Sequence, residues 1–284
     1  MAEQRGVTPP GLRFSDSSSL LSRALSMIEE EPQHTSRIAG QVLGLQSAPP
    51  GLAARLVFEL LADDERVQVD GDGMWRLSER PGRNDRRLDS LPFVVVDVET
   101  TGIPVSRGGR IIEIAVVEVR SGVIRDEFTT LINPERPVPR WVSGLTGISR
   151  EMVAGAPTFG DVCDDLRERL QGRVFVAHNA AYDWAYVSAE MERARRVIPS
   201  GARLCTVRLA RKALPGLRRR GLDSLAGFYG IEIEGRHRAW GDARATALVL
   251  MRLLEEAERR SIEHWGQLQG WLSTGRGRRR RRVE

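Results

Sequence analysis

Apolar positions in the first eighty residues recur at helical spacing three times and then at strand spacing. Leu20, Leu21, Ala24, Leu25 and Ile28 share one helix face, and Asp16 or one of Ser17 to Ser19 is placed to cap it. Thr35 and Ser36 can open a second helix carrying Ile38, Val42 and Leu43. Pro49, Pro50 and Gly51 break the pattern, and a third helix is predicted from Leu52 to Leu61. Val67 and Val69, then Asp70-Gly71-Asp72-Gly73, then Trp75 and Leu77 read as a hairpin with a glycine-bearing turn.

Three helices and a hairpin over residues 15–78 resemble a winged helix, a small α+β module. Two roles stay open for it. The third helix can read DNA, or the module can serve a docking or structural role. Against the first, that helix offers Arg55 and then runs into Asp63, Asp64 and Glu65, which repel phosphate. Residues 1–14 are rich in Gly and Pro and predict a loose N-terminus, and polar residues 79–91 predict a linker.

Residues 92–260 form the second predicted domain. Phe93-Val94-Val95-Val96 is a buried-strand run ending in acid. Ile111 to Val119 and Val123 or Ile124 to Ile132 predict two further strands, turned at Gly122. A helix over 159–170, a strand over 174–177, a helix over 184–196, a short strand over 203–206, a helix over 222–229 and a long helix over 243–259 follow. The pattern is α/β, a mixed sheet with helices packed on it. Residues 261–284 read as a basic tail, with Arg276 and the run Arg278 to Arg282.

Charge and cysteine content narrow the class. The net charge is +5, and of the 43 basic residues only Lys212 is lysine. A basic balance suits a nucleic-acid partner. Cys163 and Cys205 form no disulfide framework. No apolar run spans a bilayer, so no membrane role is expected, and the cytoplasm, in association with the nucleoid, is the expected location.

Three clusters carry the chemistry. In Asp97-Val98-Glu99-Thr100-Thr101-Gly102 the two acids lie two apart on a strand and share a face. Two carboxylates at one point repel, and a divalent cation such as Mg²⁺ or Mn²⁺ resolves the conflict; the plain alternative is an acidic loop after a strand. His178-Asn179-Ala180-Ala181-Tyr182-Asp183 follows the fourth strand, and its Asp183 reads equally as a helix cap. His237-Arg238-Ala239-Trp240-Gly241-Asp242 places a histidine in a loop and an acid at the start of the long helix. Two of the four histidines thus open motifs that end in Asp; His34 and His264 do not.

Together these clusters resemble the DEDD exonuclease superfamily, in the subgroup with a catalytic histidine that includes the epsilon proofreading subunits of bacterial DNA polymerase III. The resemblance covers about residues 92–260 and is joined by Leu145-Thr146-Gly147-Ile148, Glu151-Met152 and Ala156-Pro157. It implies an RNase H-like fold with a mixed five-stranded sheet. It implies two metal ions held by Asp97, Glu99 and Asp242, with Asp183 completing the second site and Asp97 as the bridge. It implies hydrolysis of phosphodiester bonds from the 3′ end, releasing nucleoside monophosphates. His237 is the expected general base, because a neutral imidazole takes protons near neutral pH; activity should therefore fall as pH falls. His178 and Asn179 are expected to orient the Asp183 side. Thr100, Thr101, Gly102, Leu145 and Thr146 are expected to meet the terminal nucleotide, through backbone N–H groups beside Gly102 in particular. Arg218, Arg219 and Arg220 are candidates for phosphate contacts, or a solvated basic loop.

The substrate expected from these motifs is single-stranded or frayed DNA, in proofreading or repair. An RNA-trimming exonuclease is the near alternative, and a non-catalytic nucleic-acid adaptor the one from another class. A polymerase or repair complex is a possible partner through the N-terminal module. Gln267-Leu268-Gln269-Gly270-Trp271-Leu272 reads either as a weak likeness to sliding-clamp-binding segments or as an exposed helix end, and carries no clamp assignment.

Overall fold

The computed structural model describes residues 11–16, 19–62, 64, 66–78 and 86–273. Its first part runs β1 (Arg13–Asp16), α1 (Leu20–Glu30), β2 (Gln33–His34), α2 (Thr35–Val42), α3 (Pro50–Leu61), β3 (Val67–Val69) and β4 (Met74–Leu77). Ser19 caps α1 by accepting from the Ser22 N–H. The turn between β3 and β4 is closed by Asp70, whose carboxylate accepts from the N–H groups of Asp72 and Met74. The apolar stripes read from sequence meet in one core of Ala24, Leu25, Ile28, Ile38, Val57, Leu61 and Trp75. Three helices and a hairpin occur in the order read from the sequence. An element not anticipated is β2, which pairs with β4 and makes the sheet three-stranded. On α3, Arg55 is paired with Glu59 at 2.9 Å, and Leu52 and Phe58 are exposed. That face offers phosphate no unpaired cation.

The second part contains β5 (Phe93–Thr100), β6 (Ile111–Arg120), β7 (Val123–Leu131), α4 (Arg140–Thr146), α5 (Arg150–Ala154), α6 (Phe159–Leu170), β8 (Val174–Ala177), α7 (Ala181–Arg195), β9 (Val197–Ser200), β10 (Arg203–Cys205), α8 (Thr206–Ala213), α9 (Leu222–Tyr229), α10 (Ala239–Glu258) and α11 (Trp265–Ser273). Five of the strands make one sheet in the order β10-β8-β5-β6-β7. The pairs β5–β6 and β6–β7 are antiparallel, whereas β8 runs parallel to both β5 and β10. Strand alternation divides the core. Phe93, Val95, Ala115, Val117 and Val176 face α8 to α11, against Leu209, Leu225, Leu250 and Leu253. Val94, Val96, Val98, Ile114 and Phe175 face α6 and α7, against Phe159, Leu166, Trp184 and Met191.

Several boundaries differ from the sequence reading. β5 does not end before the acids but runs through Asp97 and Glu99 to Thr100, because β6 pairs with it along its length. Helices α7 and α10 start earlier than their apolar spacing indicates, so Asp183 and Asp242 lie inside first turns. Ala180 occupies the N-cap position of α7, and Asp183 is not a cap. Helices α4, α5 and α8 and strand β9 lack a run of apolar residues long enough to announce them.

The ends are also more ordered than composition indicates. Of the expected loose residues 1–14, Gly11 to Phe14 are tied down: Leu12 exchanges backbone hydrogen bonds with Gly172 and Arg173, and β1 pairs antiparallel with β9. Leu12 is buried, which explains why the segment holds. The second half of the expected linker is bound too, through Leu88 N–H to Glu263 O and Trp265 N–H to Arg86 O. The basic tail begins with a helix instead: α11 buries Trp265 and Leu268, while the Gln267 amide oxygen accepts from Glu263 and His264 N–H. The 267–272 segment is the end of α11, with Leu268 in the core and Gln267, Gln269 and Gly270 exposed. Residues 1–10, 79–85 and the arginine run 278–282 lie outside the described residues. Among the described residues no helix is long and apolar enough to cross a membrane.

Candidate active site and carboxylate cluster

Strand alternation explains the site. Val94, Val96 and Val98 turn to α7, so Asp97 and Glu99 turn to the opposite face, where α10 crosses β5. The first turn of α10 carries Asp242. One oxygen from each of Asp97, Glu99 and Asp242 lies within 4.8 Å of the others. The start of α10 is fixed by a residue that the sequence reading missed. Glu113, opposite Glu99 in the β5–β6 register, is buried; it accepts from Ala239 N–H at 2.8 Å and from the Arg238 guanidinium at 2.6 Å. A carboxylate on the first N–H groups of a helix is favoured by the helix dipole. Its signal was a lone acid within the apolar run Ile111 to Val117. Gly241 is required here, since a Cβ would stand 1.8 Å from the Glu234 carbonyl oxygen.

Burial and mutual repulsion dominate the electrostatics. Desolvation, then the charges of Asp183, Asp242 and Glu99, push Asp97 well above the usual carboxylate range. Desolvation, then the charges of Asp242 and Glu113, push Glu99 up to about 8. Asp242 is raised by burial and held back by Arg236. Arg236 is the local countercharge: its guanidinium bonds one oxygen of Asp242 and reaches Asp223 at 2.8 Å on its other side. The second Asp242 oxygen is buried without a hydrogen-bond partner. A clustered set of oxygen donors with a buried, unsatisfied acceptor fits a hard divalent cation.

Asp183 approaches from the α7 side of the sheet. It is buried, accepts from Val98 N–H at 3.2 Å, and is raised by desolvation to about 7 despite that bond. It is not one of the three clustered acids, but its charge is the largest single charge raising Asp97. His178 follows β8 directly and hydrogen-bonds Thr206 at 2.9 Å and the Arg220 backbone. Burial, then Arg236, pulls its pKa down to about 4. It ties α8 and the following loop to the sheet. Asn179 is exposed, and its carbonyl accepts from Tyr182 N–H at the start of α7. Asn179 and His237 both adopt left-handed backbone, with φ of 70° and 63°. Such strain in non-glycine residues collects at functional sites. His237 lies half-exposed on the loop before α10, next to Arg236.

The residues expected at the terminal nucleotide divide into two groups. Thr101 and Thr146 are buried, with hydroxyls committed internally: Thr101 accepts from Arg110 N–H, and Thr146 joins Val142 O to Ile148 N–H. Thr100 is also buried; its hydroxyl accepts from Gly102 N–H and bonds the Tyr182 hydroxyl. The Thr101 N–H goes to Arg110 O. The backbone donors expected beside Gly102 are therefore spent at Thr101 and Gly102. Glycine stands at 102 because φ is +68° and a Cβ would meet the Trp141 ring at 2.1 Å. Gly102 and Leu145 are exposed. Arg220 caps the carbonyls of Leu214 and Pro215, while Arg218 and Arg219 are exposed.

A mixed five-stranded sheet with acids at its central strand, faced by acids from flanking helices, is an RNase H-like exonuclease architecture. The profile of the family described as Exonuclease (RNase T) matches residues 94–250. The DNA polymerase III epsilon subunit of Aquifex aeolicus is 36% identical over 172 residues, covering 61% of this chain and 84% of that protein. The 3′-5′ exonuclease DinG of Bacillus subtilis is 37% identical over 169 residues, covering 60% of this chain but 18% of that much longer protein. The nuclease domain of 3′hExo, a DEDDh family member solved bound to rAMP, superposes with a TM-score of 0.51 at 20% identity, covering 60% of this chain and 95% of that one. The chain belongs to this exonuclease family.

Proposed function

We propose that the chain is a 3′→5′ exonuclease that removes nucleotides from DNA ends, using the cluster of Asp97, Glu99 and Asp242. The observation that carries this reading is the convergence of one oxygen from each of those three acids, together with an Asp242 oxygen that is buried without a hydrogen-bond partner. Mg²⁺ or Mn²⁺, two ions per site, would be held by these residues, with Asp183 on the second ion. When bound, such ions lower the pKa of a water and offset charge on the departing oxygen.

The chain's own residues supply the rest. His237, on a strained loop fixed by the start of α10, takes the proton from the attacking water as general base. Glu113 and Arg238 hold that helix start, and hence Asp242, in place. His178 positions the 214–221 loop. There Arg218 and Arg219, exposed and with no internal partner among the described residues, meet phosphates of the strand leading into the site. Arg220 is excluded from that role by its bonds to Leu214 and Pro215.

DNA is favoured over RNA because the similar epsilon protein is named a subunit of DNA polymerase III. The acid set is complete, so the adaptor alternative loses its basis. The N-terminal module is read as a docking element for a polymerase or repair protein, because α3 lacks free cations. The location proposed with this reading is the cytoplasm, in association with the nucleoid, where DNA substrate lies.

The test is hydrolysis of matched end-labelled DNA and RNA strands with Mg²⁺, Mn²⁺ or EDTA. A ladder shortening from the 3′ end of DNA, abolished by EDTA and by Asp97→Ala, is expected. Degradation of neither strand by folded protein would overturn the reading, and faster RNA cleavage would overturn its DNA assignment.

A further inference from the structure

One guanidinium touches both kinds of group that the hydrolysis needs. Nη1 of Arg236 donates to Asp242 Oδ2 and stands 3.4 Å from Nδ1 of His237. Its Nε and Nη2 fork onto the Asp223 carboxylate at 2.8 and 3.2 Å. A guanidinium only donates, so the imidazole nitrogen that faces it is the acceptor, and the proton of the neutral ring sits on the other nitrogen. A single cation thus engages an oxygen of a cluster acid and the lone pair of the expected base. The second Asp242 oxygen stays buried without a partner, so Arg236 offsets that acid without satisfying it. Burial raises Asp97 and Glu99, and the Arg236 charge opposes the rise at both.

We propose that Arg236 is a phosphate-binding latch, which holds Asp242 and His237 in the empty site and passes to a phosphate of the incoming strand, freeing both. The inference rests on the exonuclease reading and specifies how strand binding and metal loading are linked. A guanidinium and a divalent cation compete for the same acid, because like charges at short range repel. Asp223 supplies the pivot. It is exposed and lies in the first turn of α9, just after the loop that carries Arg218 and Arg219. With Nε and Nη2 kept on Asp223, Nη1 can leave Asp242 while the guanidinium stays at the rim of the cluster. A phosphate arriving there offers oxygens that suit the arginine fork. By linkage, a phosphate that draws Arg236 away tightens metal binding, and the metal tightens phosphate binding by the same factor.

The experiment measures Mn²⁺ binding, from the electron paramagnetic resonance of the free ion, for the wild type and Arg236→Gln. Each protein is titrated alone and with saturating thymidine 5′-monophosphate, and circular dichroism checks that both are folded. Alone, Arg236→Gln should bind Mn²⁺ about tenfold more tightly than the wild type. The monophosphate should tighten Mn²⁺ binding to the wild type by about tenfold, and far less in the variant. Thymidine, which lacks the phosphate, should leave the wild type unchanged. An equal gain from the monophosphate in both proteins would make Arg236 a fixed countercharge and overturn the latch. So would the absence of any gain in the wild type, a result that needs no variant. If the wild type binds no Mn²⁺ in either condition, the exonuclease reading itself fails, which is a separate outcome.

Discussion

Arg236 bonds one carboxylate oxygen of Asp242 and leaves the other buried and unpartnered. The same guanidinium is anchored by Asp223, so a cation is held at the rim of an acid cluster. The arrangement offsets repulsion among acids that are brought together for another cation. Arg236→Gln should lower stability in EDTA by about 1 kcal/mol, a figure reduced because the guanidinium is one-third exposed. Added Mg²⁺ should narrow the deficit. Thermal unfolding of both proteins with and without the ion checks this, and an equal deficit in both conditions would contradict it.

The acids also set a pH dependence. Glu99 is raised to about 8 and Asp183 to about 7, both above their values in an unfolded chain. A raised carboxyl binds its proton more tightly in the folded state. Its contribution is complete below about pH 4 and drains away as pH rises through 7 to 8. In EDTA the urea midpoint should therefore fall between pH 5.5 and 8.5, windows set roughly by these groups. A divalent cation should flatten or reverse the fall. Asp97→Asn, which removes one repelling partner, should make the EDTA profile shallower.

His237 and Asp97 should separate chemistry from metal binding. His237→Ala is expected to slow hydrolysis by roughly 10²- to 10⁴-fold while keeping the thermal stabilisation given by Mn²⁺. Asp97→Ala should lose both. Loss of the Mn²⁺ effect in His237→Ala would make that residue a metal ligand and not a base.

Phosphate contacts are read from salt dependence. If Arg218 and Arg219 each meet one phosphate, replacing both with Ser should reduce the slope of log affinity against log salt by about 1.4 for a single strand. A parallel line with lower affinity would place the two arginines off the nucleic acid.

Much of the site could be read from the chain because it rests on short-range geometry. Asp97 and Glu99 share a face by strand alternation alone, and that face had to be the one away from Val96 and Val98. What stayed hidden depends on contacts between distant segments. Glu113 holds α10 from 126 positions away, and nothing near it in sequence marks that partner. Arg236 was one arginine among many until the fold set it against Asp242. Thr101 and Thr146 looked available because a motif does not reveal burial. The edge strand β1 and helix α11 were missed for a related reason: polar, glycine-rich or charged surroundings masked the few buried anchors, Leu12, Trp265 and Leu268.

The pairing of β1 with β9 has a mechanical meaning. β9 follows the C-terminal end of α7, whereas Asp183 sits in that helix's first turn. The intervening stretch of helix is about 18 Å long. The N-terminal module is clasped at that far end, where Glu29 of α1 also accepts from Gly201 N–H. A partner bound to the module would thus pull on a handle set back from the blade, leaving the acid cluster at the other end of that helix.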